Sequence, residues 1–280
     1  MNGQDEPPKT PEKIGTILFL EHLAPIDYKR LAERIGSAIG LEPASLDDQK
    51  PDNGPMVLRA DGDLIFGLNM DFPYPDTLDS AAQFAHWWPN ALSDIARSKA
   101  HFIVSCSWQK HSRLEAHKRQ LILVHELIEQ LPVIGVLWGS SLTQTDLFKS
   151  EFTSTQEDGL PFSLWVLIQY SKQPNGNFLI STLGMCDFGA MEIETESSLP
   201  WDQTFDLIRN VGSYILVEGP VIKDGDTVGL SEEQKIRVRH TRSFRPGHNT
   251  PVYWLELTEQ STVRKLQGIF SKLFGSKTKH

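Results

Sequence analysis

The chain has 280 residues, of which 39% are hydrophobic and 22% are charged, and its formal net charge is −9. This length allows one large domain or two of ordinary size, each with a substantial core. No apolar run approaches the roughly 20 residues that a membrane span needs, and the polar start of the chain predicts no signal peptide. Two cysteines exclude a disulfide framework. We therefore expect a soluble cytoplasmic protein.

The charge is spread unevenly along the chain. The last 19 residues hold five basic side chains and no acidic one, so the rest carries 22 basic against 36 acidic side chains, a net of −14. Such a body repels the phosphates of nucleic acids and favours a basic partner. We expect no nucleic acid ligand.

The first half of the chain predicts an α+β fold with a ferredoxin-like, split βαβ order. A polar lead-in over residues 1–13 is expected to be disordered. Asp27 is the predicted N-cap of the first helix and Gly40 its C-terminal stop. The hydrophobic pattern predicts a strand, a helix, two strands, a helical region interrupted by Pro89, and a strand, at 14–21, 27–40, 56–59, 64–70, 78–99 and 101–106. The Asp61-Gly62 pair between the two middle strands indicates a hairpin turn. Residues 14–155 are therefore predicted as a ferredoxin-like half.

The second half predicts another mixed α+β unit, over residues 156–261, packed on the first. It follows a predicted helix at 113–131 and a strand at 133–138. Residues 174–177, with the sequence Pro-Asn-Gly-Asn, indicate a hairpin turn. A strand, a helix and two further strands are then predicted at 191–194, 202–217, 236–239 and 252–257.

The segment 262–280 predicts a basic amphipathic helix. Its apolar residues recur every three or four positions, at Val263, Leu266, Ile269, Phe270, Leu273 and Phe274. One interpretation is a helix that docks its apolar side on the body of the protein. The alternative is a helix that binds a membrane surface or a partner.

The most distinctive stretch of the chain is 182–194, with the sequence TLGMCDFGAMEIE. Gly184 and Gly189 predict tight backbone approach or positive φ around a bulged strand pair. Strand alternation then places Glu192 and Glu194 on one face, opposite Met191 and Ile193. Two carboxylates on one face suggest an acidic edge for a basic partner, or simply solvated strand residues.

Three segments together resemble a bacterial family, the domain of unknown function 4261. They are LGM, FG and EIE within 183–194; KDGDTVG at 223–229 followed by IRVR at 236–239; and, more weakly, AHFIV at 100–104 with GVLWG at 135–139. The resemblance places such a domain at roughly 160–258. Proteins with this domain are often suspected to be immunity proteins that neutralise secreted toxins, so the resemblance implies a toxin-binding role and supplies no functional residue.

Candidate catalytic chemistry is sparse. His125 and Glu129 share one helical face at a spacing able to bind a metal, although a solvated His–Glu contact gives the same pattern. Cys186 lies in the 182–194 stretch and is a possible nucleophile, whereas Cys106 follows an apolar strand and is expected to be buried. The Asp224-Gly-Asp226 triplet predicts a turn rather than a calcium loop. Phosphate-binding loops and the G-x-S-x-G elbow do not occur in the sequence.

These observations favour a cytoplasmic binding protein without a cofactor, an inhibitor of an antibacterial protein toxin. The expected contact residues are the aromatic pair Trp87 and Trp88 and the carboxylates Glu192 and Glu194. The alternatives are a hydrolase that uses His125, Glu129 or Cys186 to reverse a toxin's modification, and a scaffold that recruits a partner through residues 262–280.

Overall fold

A computed structural model describes residues 14–43, 55–107, 111–155, 159–199, 201–231 and 234–257 of the chain. The expected lead-in at 1–13 and the segment 262–280 lie outside these residues. The fold is mixed α+β, as the sequence predicts, and it forms two compact units divided between Leu167 and Ile168. The division falls later than the predicted one because residues 162–165 belong with the first unit, where the Ser141 hydroxyl donates to the Ser163 carbonyl at 2.7 Å.

The N-terminal unit contains one six-stranded sheet and six helices among its described residues. The strands are β1 (Ile14–Leu20), β2 (Met56–Ala60), β3 (Asp63–Met70), β4 (Ala100–Ser107), β5 (Val133–Trp138) and β6 (Ser141–Gln144). The helices are α1 (Tyr28–Ile39), α2 (Asp79–Ala82), α3 (Ala91–Ile95), α4 (Arg113–Ile128), α5 (Thr145–Thr155) and α6 (Phe162–Trp165). The strand order is β2-β3-β4-β1-β5-β6, and each pair of neighbouring strands is antiparallel.

The ferredoxin-like detail is not confirmed in the predicted form. The predicted element order requires β1 to pair with β3, but β4 lies between them and β5 takes the other side of β1. Two crossovers result: β1 and β3 run in the same direction on either side of β4, and β4 and β5 do so on either side of β1. The difference arises because strand pairing is non-local and does not follow from the order of elements alone.

The two faces of this sheet are covered differently. Helix α4 packs on one face, where the Gln120 amide donates to Thr16, and α1 packs against α4. The other face is covered over β1, β5 and β6 by the segment that carries α2 and α3, with Trp88 in the middle of the cluster. The helical region predicted at 78–99, interrupted by Pro89, consists of two short helices, α2 and α3, on either side of that residue. Pro89 lacks an amide hydrogen, and Trp88 beside it packs against Gly135.

The C-terminal unit contains a second six-stranded sheet and one long helix among its described residues. Its strands are β7 (Leu167–Lys172), β8 (Phe178–Leu183), β9 (Glu192–Ser197), β10 (Thr227–Ser231), β11 (Gln234–Arg242) and β12 (Pro251–Glu256). The helix is α7 (Trp201–Glu218), and a 3₁₀ turn spans Met185–Phe188. The strand order is β10-β11-β12-β9-β8-β7, and β12 pairs with β9 in parallel.

Several turns follow the local rules that the sequence predicts. Asp61 and Gly62 both have positive φ, 51° and 82°, in the hairpin between β2 and β3. The Asp27 carboxylate accepts the Arg30 amide hydrogen at the start of α1, and Gly40 ends that helix at φ 66°. The carboxylates of Asp224 and Asp226 accept the amides of His240 and Lys223, so this pair organises a turn as predicted.

Candidate functional site

The glycine-rich stretch 182–194 folds around the carboxylate of Glu192. This side chain is buried and accepts hydrogen bonds from the Thr182 hydroxyl at 2.7 Å and the Gly184 amide at 3.0 Å. The amides of Met185 and Cys186 also donate to it, at 3.3 and 3.4 Å. These donors begin the 3₁₀ turn, where backbone N–H groups lack partners within the turn. The Glu192 carboxylate therefore stabilises the turn by accepting the hydrogen bonds of its first N–H groups.

Glu194 holds a different loop in the same way. Its fully buried carboxylate accepts the Ser243 hydroxyl, the Phe244 amide at 2.8 Å and the Arg245 Nε at 3.2 Å. These donors lie in the loop between β11 and β12. A buried carboxylate needs such partners, since an unpaired charge in the interior is strongly unfavourable. Glu194 therefore fixes this loop over the centre of the sheet.

The predicted exposed acidic edge is consequently wrong. Alternation places the side chains of β9 on two faces of the sheet, but β9 is a central strand that is buried on both faces. The carboxylates of Glu192 and Glu194 are therefore buried too. Trp88 is buried as well, and its indole N–H donates to Asp94 at 2.8 Å. Of the four predicted contact residues, Trp87 presents its side chain to solvent, with 64% exposed.

The His125–Glu129 pair takes part in the packing of α4 on α5. The His125 ring stacks on Phe152, with 3.8 Å between ring centroids and 13° between planes, and Glu129 pairs with Lys149 at 2.8 Å. Burial lowers the pKa of His125, and the hydrogen bond from Lys149 lowers the pKa of Glu129. Within the described part of the chain, no three His, Cys, Asp or Glu residues gather into a metal-binding group.

The two cysteines are both protonated at neutral pH. Cys106 is buried in β4, and burial raises the pKa of its thiol. Cys186 is half-buried, and burial together with the carboxylates of Glu192 and Asp187 raises its pKa to about 12. Since the thiolate is the nucleophile, this environment opposes catalysis by Cys186.

An exposed apolar strip lies on the hairpin of β2 and β3 in the N-terminal unit. We call Val57, Leu64 and Phe66 the hairpin strip; each side chain is 45% exposed. Val57 lies directly opposite Phe66, and Leu64 lies on the same face two residues earlier. The sequence signal is apolar residues on both faces of a strand pair, MVL at 56–58 and LIF at 64–66, where a solvated edge hairpin would alternate.

The C-terminal unit contains an open groove beside α7, with a volume of about 550 Å³. We call it the α7 groove. Its helical wall consists of Leu207, Asn210, Val211 and Tyr214, and its other wall of Val221, Ile222 and residues 226–229. Tyr214 and Val221 are each 50% exposed. The hydrophobic periodicity of α7 predicts this groove only in part, because the same pattern fits a helix whose apolar face is completely covered.

The resemblance of the sequence to a known family is confirmed by comparison with family models. Residues 181–252 match the domain of unknown function DUF4261. The match contains β9, α7, all the lining residues of the α7 groove and the loop that Glu194 holds. Neither the curated proteins nor the solved structures contain a significant match. No helix among the described residues is long and apolar enough to cross a membrane.

Proposed function

We propose that this chain is a non-enzymatic binding protein of the bacterial cytoplasm that neutralises an antibacterial secreted toxin by stoichiometric occlusion. The hairpin strip carries this proposal. Three large apolar side chains on one sheet face, each 45% exposed, are the kind of feature that marks a protein interface. Trp87 supplies an exposed aromatic side chain of the type that anchors interfaces.

The polar residues support binding over catalysis. His125 and Glu129 are engaged between two helices, and Cys186 is held as a thiol. Glu192 and Glu194 hold the backbone of the family-matched region, so they support its shape rather than a partner's surface. The resemblance to a family suspected of immunity function points the same way.

Charge supports a basic partner. Outside residues 262–280 the chain carries a net of −14, and opposite charge speeds the encounter of two proteins. A toxin with a basic surface around its active site is therefore the partner class that we propose.

The proposal is tested by affinity capture followed by titration. The tagged full-length chain is recovered from the cells that produce it, and a stoichiometric partner is identified by mass spectrometry. The purified partner's activity is then measured against increasing amounts of the chain. We expect inhibition to be complete near one chain per partner molecule.

Two matched variants connect the result to the hairpin strip. Phe66→Ser should weaken capture at least about tenfold, since an aromatic hot spot at an interface contributes about 2 kcal/mol or more and about 1.4 kcal/mol is a factor of ten. Leu92→Ser removes an apolar side chain of nearly equal exposure, 46%, from α3 and should leave capture unchanged. Protection at far less than one chain per partner would indicate an enzyme and refute the proposal, as would equal behaviour of the two variants.

A further inference from the structure

The shape of the α7 groove fits the binding of a second helix. Its helical wall, at positions 207, 210, 211 and 214, follows the spacing that forms a ridge along one side of a helix. Leu207 and Val211 are buried at its base, while Tyr214 and Val221 stand half-exposed at its rim. An apolar base with half-exposed rim residues is completed by one more layer of apolar side chains.

The chain carries a segment with the complementary pattern. Residues 262–280 lie outside the described residues, and their sequence repeats apolar side chains at 263, 266, 270 and 273. This spacing gives one apolar face about as long as the groove wall when the segment is helical. The same segment has five basic residues and no acidic one.

The strand before this segment ends close to the groove. Glu256, near the end of β12, lies opposite Arg237 of β11, which lies opposite Thr227 of β10. Thr227 lines the groove, so two strand spacings, about 10 Å, separate it from Glu256. Residues 257 to 263 can span at most about 20 Å, which is sufficient.

The charges at the groove also suit this segment. Asp226 lies in its wall, Glu218 is exposed at the end of α7, and Asp224 is exposed in the connection between α7 and β10. Lys223 is the one basic residue in that connection. Basic side chains on the polar side of a helix in the groove would therefore face a mostly acidic rim.

We propose that residues 262–280 form an amphipathic helix that occupies the α7 groove of their own chain, with the apolar face inward. The C-terminal segment then completes the layer of α7 and covers the family-matched region. This inference is independent of the proposed toxin binding, which uses the hairpin strip of the other unit.

The test measures how well the segment shields the groove from a thiol reagent in the full-length chain. Tyr214→Cys places a thiol at the rim, and Tyr170→Cys places one on β7, where the native side chain is 38% exposed. Labelling at 214 should become at least about tenfold faster when Leu266→Ser and Phe270→Ser are added. Labelling at 170 should not change, and Lys265→Gln with Lys272→Gln should leave residue 214 shielded.

A second measurement uses the unaltered segment, so it does not depend on the folding of the serine variants. A benzophenone attached to the thiol at 214 should cross-link to residues within 262–280 of the same chain, mapped by mass spectrometry. Equal labelling with and without the serine substitutions would overturn the proposal. Shielding that grows with protein concentration would assign the groove to a second copy's segment, and an unshielded groove with liposome binding would assign residues 262–280 to a membrane surface; either result also overturns it.

Discussion

At the scale of single residues, the buried carboxylate of Glu194 is the clearest determinant of local structure. It satisfies the Ser243 hydroxyl, the Phe244 amide and the Arg245 guanidinium at once. Glu194→Ala removes the acceptor of all three donors and leaves the largely buried Arg245 guanidinium without this carboxylate, so we expect the free energy of unfolding to fall by about 3–5 kcal/mol. Urea denaturation of the full-length chain measures this loss.

Glu196→Ala provides the matched control on the same strand. This carboxylate accepts hydrogen bonds from Asn175 and Asn177 at a more accessible position of β9. Its removal should cost about 1 kcal/mol, since water replaces the lost bonds. Equal destabilisation by the two variants would contradict the role assigned to Glu194.

His117 is expected to make stability depend on pH. It is buried beside Trp138 and Trp165, and burial lowers its pKa from 6.5 to about 4. As the pH falls, the His117 side chain is therefore protonated in the unfolded chain at a higher pH than in the folded chain. The stabilising contribution is complete above pH 6.5 and is lost progressively towards pH 4, by about 3 kcal/mol in total.

Substitution of His117 by phenylalanine should remove this part of the pH dependence. Urea unfolding of His117→Phe, measured between pH 7 and pH 4.5, should show a shallower decline than that of the natural chain. Replacement of the exposed His22 by asparagine is the control and should leave the decline intact. An unchanged slope in His117→Phe would show that other groups govern acid sensitivity.

At the scale of elements, the contact between Gly135 of β5 and Trp88 determines how the segment with α2 and α3 covers the sheet. A methyl group at Gly135 would overlap the Trp88 ring and press on the Thr143 carbonyl. Gly135→Ala should therefore destabilise the chain by about 1–3 kcal/mol through overpacking. Gly15→Ala, on β1, meets no atom within 4 Å and should be neutral or slightly stabilising. Thermal unfolding compares the two, and equal melting temperatures would refute the packing argument.

Elements that depend on adjacent residues were predictable, and those that depend on distant partners were not. The Asp61–Gly62 turn and the caps Asp27 and Gly40 follow from local backbone preferences, and the sequence locates all of them. The insertion of β4 between β1 and β3 depends on pairing across the chain. Glu192 was misassigned for the same reason, since alternation reveals two faces of a strand but not whether both are covered.

At the scale of the whole molecule, the acidic charge makes a prediction about the rate of partner capture. With a net of −14 outside residues 262–280, association with a basic toxin should be electrostatically steered. Raising sodium chloride from 0.05 to 0.5 M shortens the screening length from about 14 to about 4 Å, so we expect the association rate constant to fall at least about tenfold. Stopped-flow mixing with the captured partner measures this rate.

The same experiment separates charge from the apolar contact. Phe66→Ser should raise the dissociation rate constant and leave the salt dependence of association unchanged, because short-range packing acts after the encounter. Charge reversal in the partner's basic surface should instead flatten the salt dependence. An association rate constant that does not depend on salt would mean that net charge does not steer the partner. The proposed preference for a basic toxin would then be wrong, whereas this result would not contradict stoichiometric inhibition through the hairpin strip.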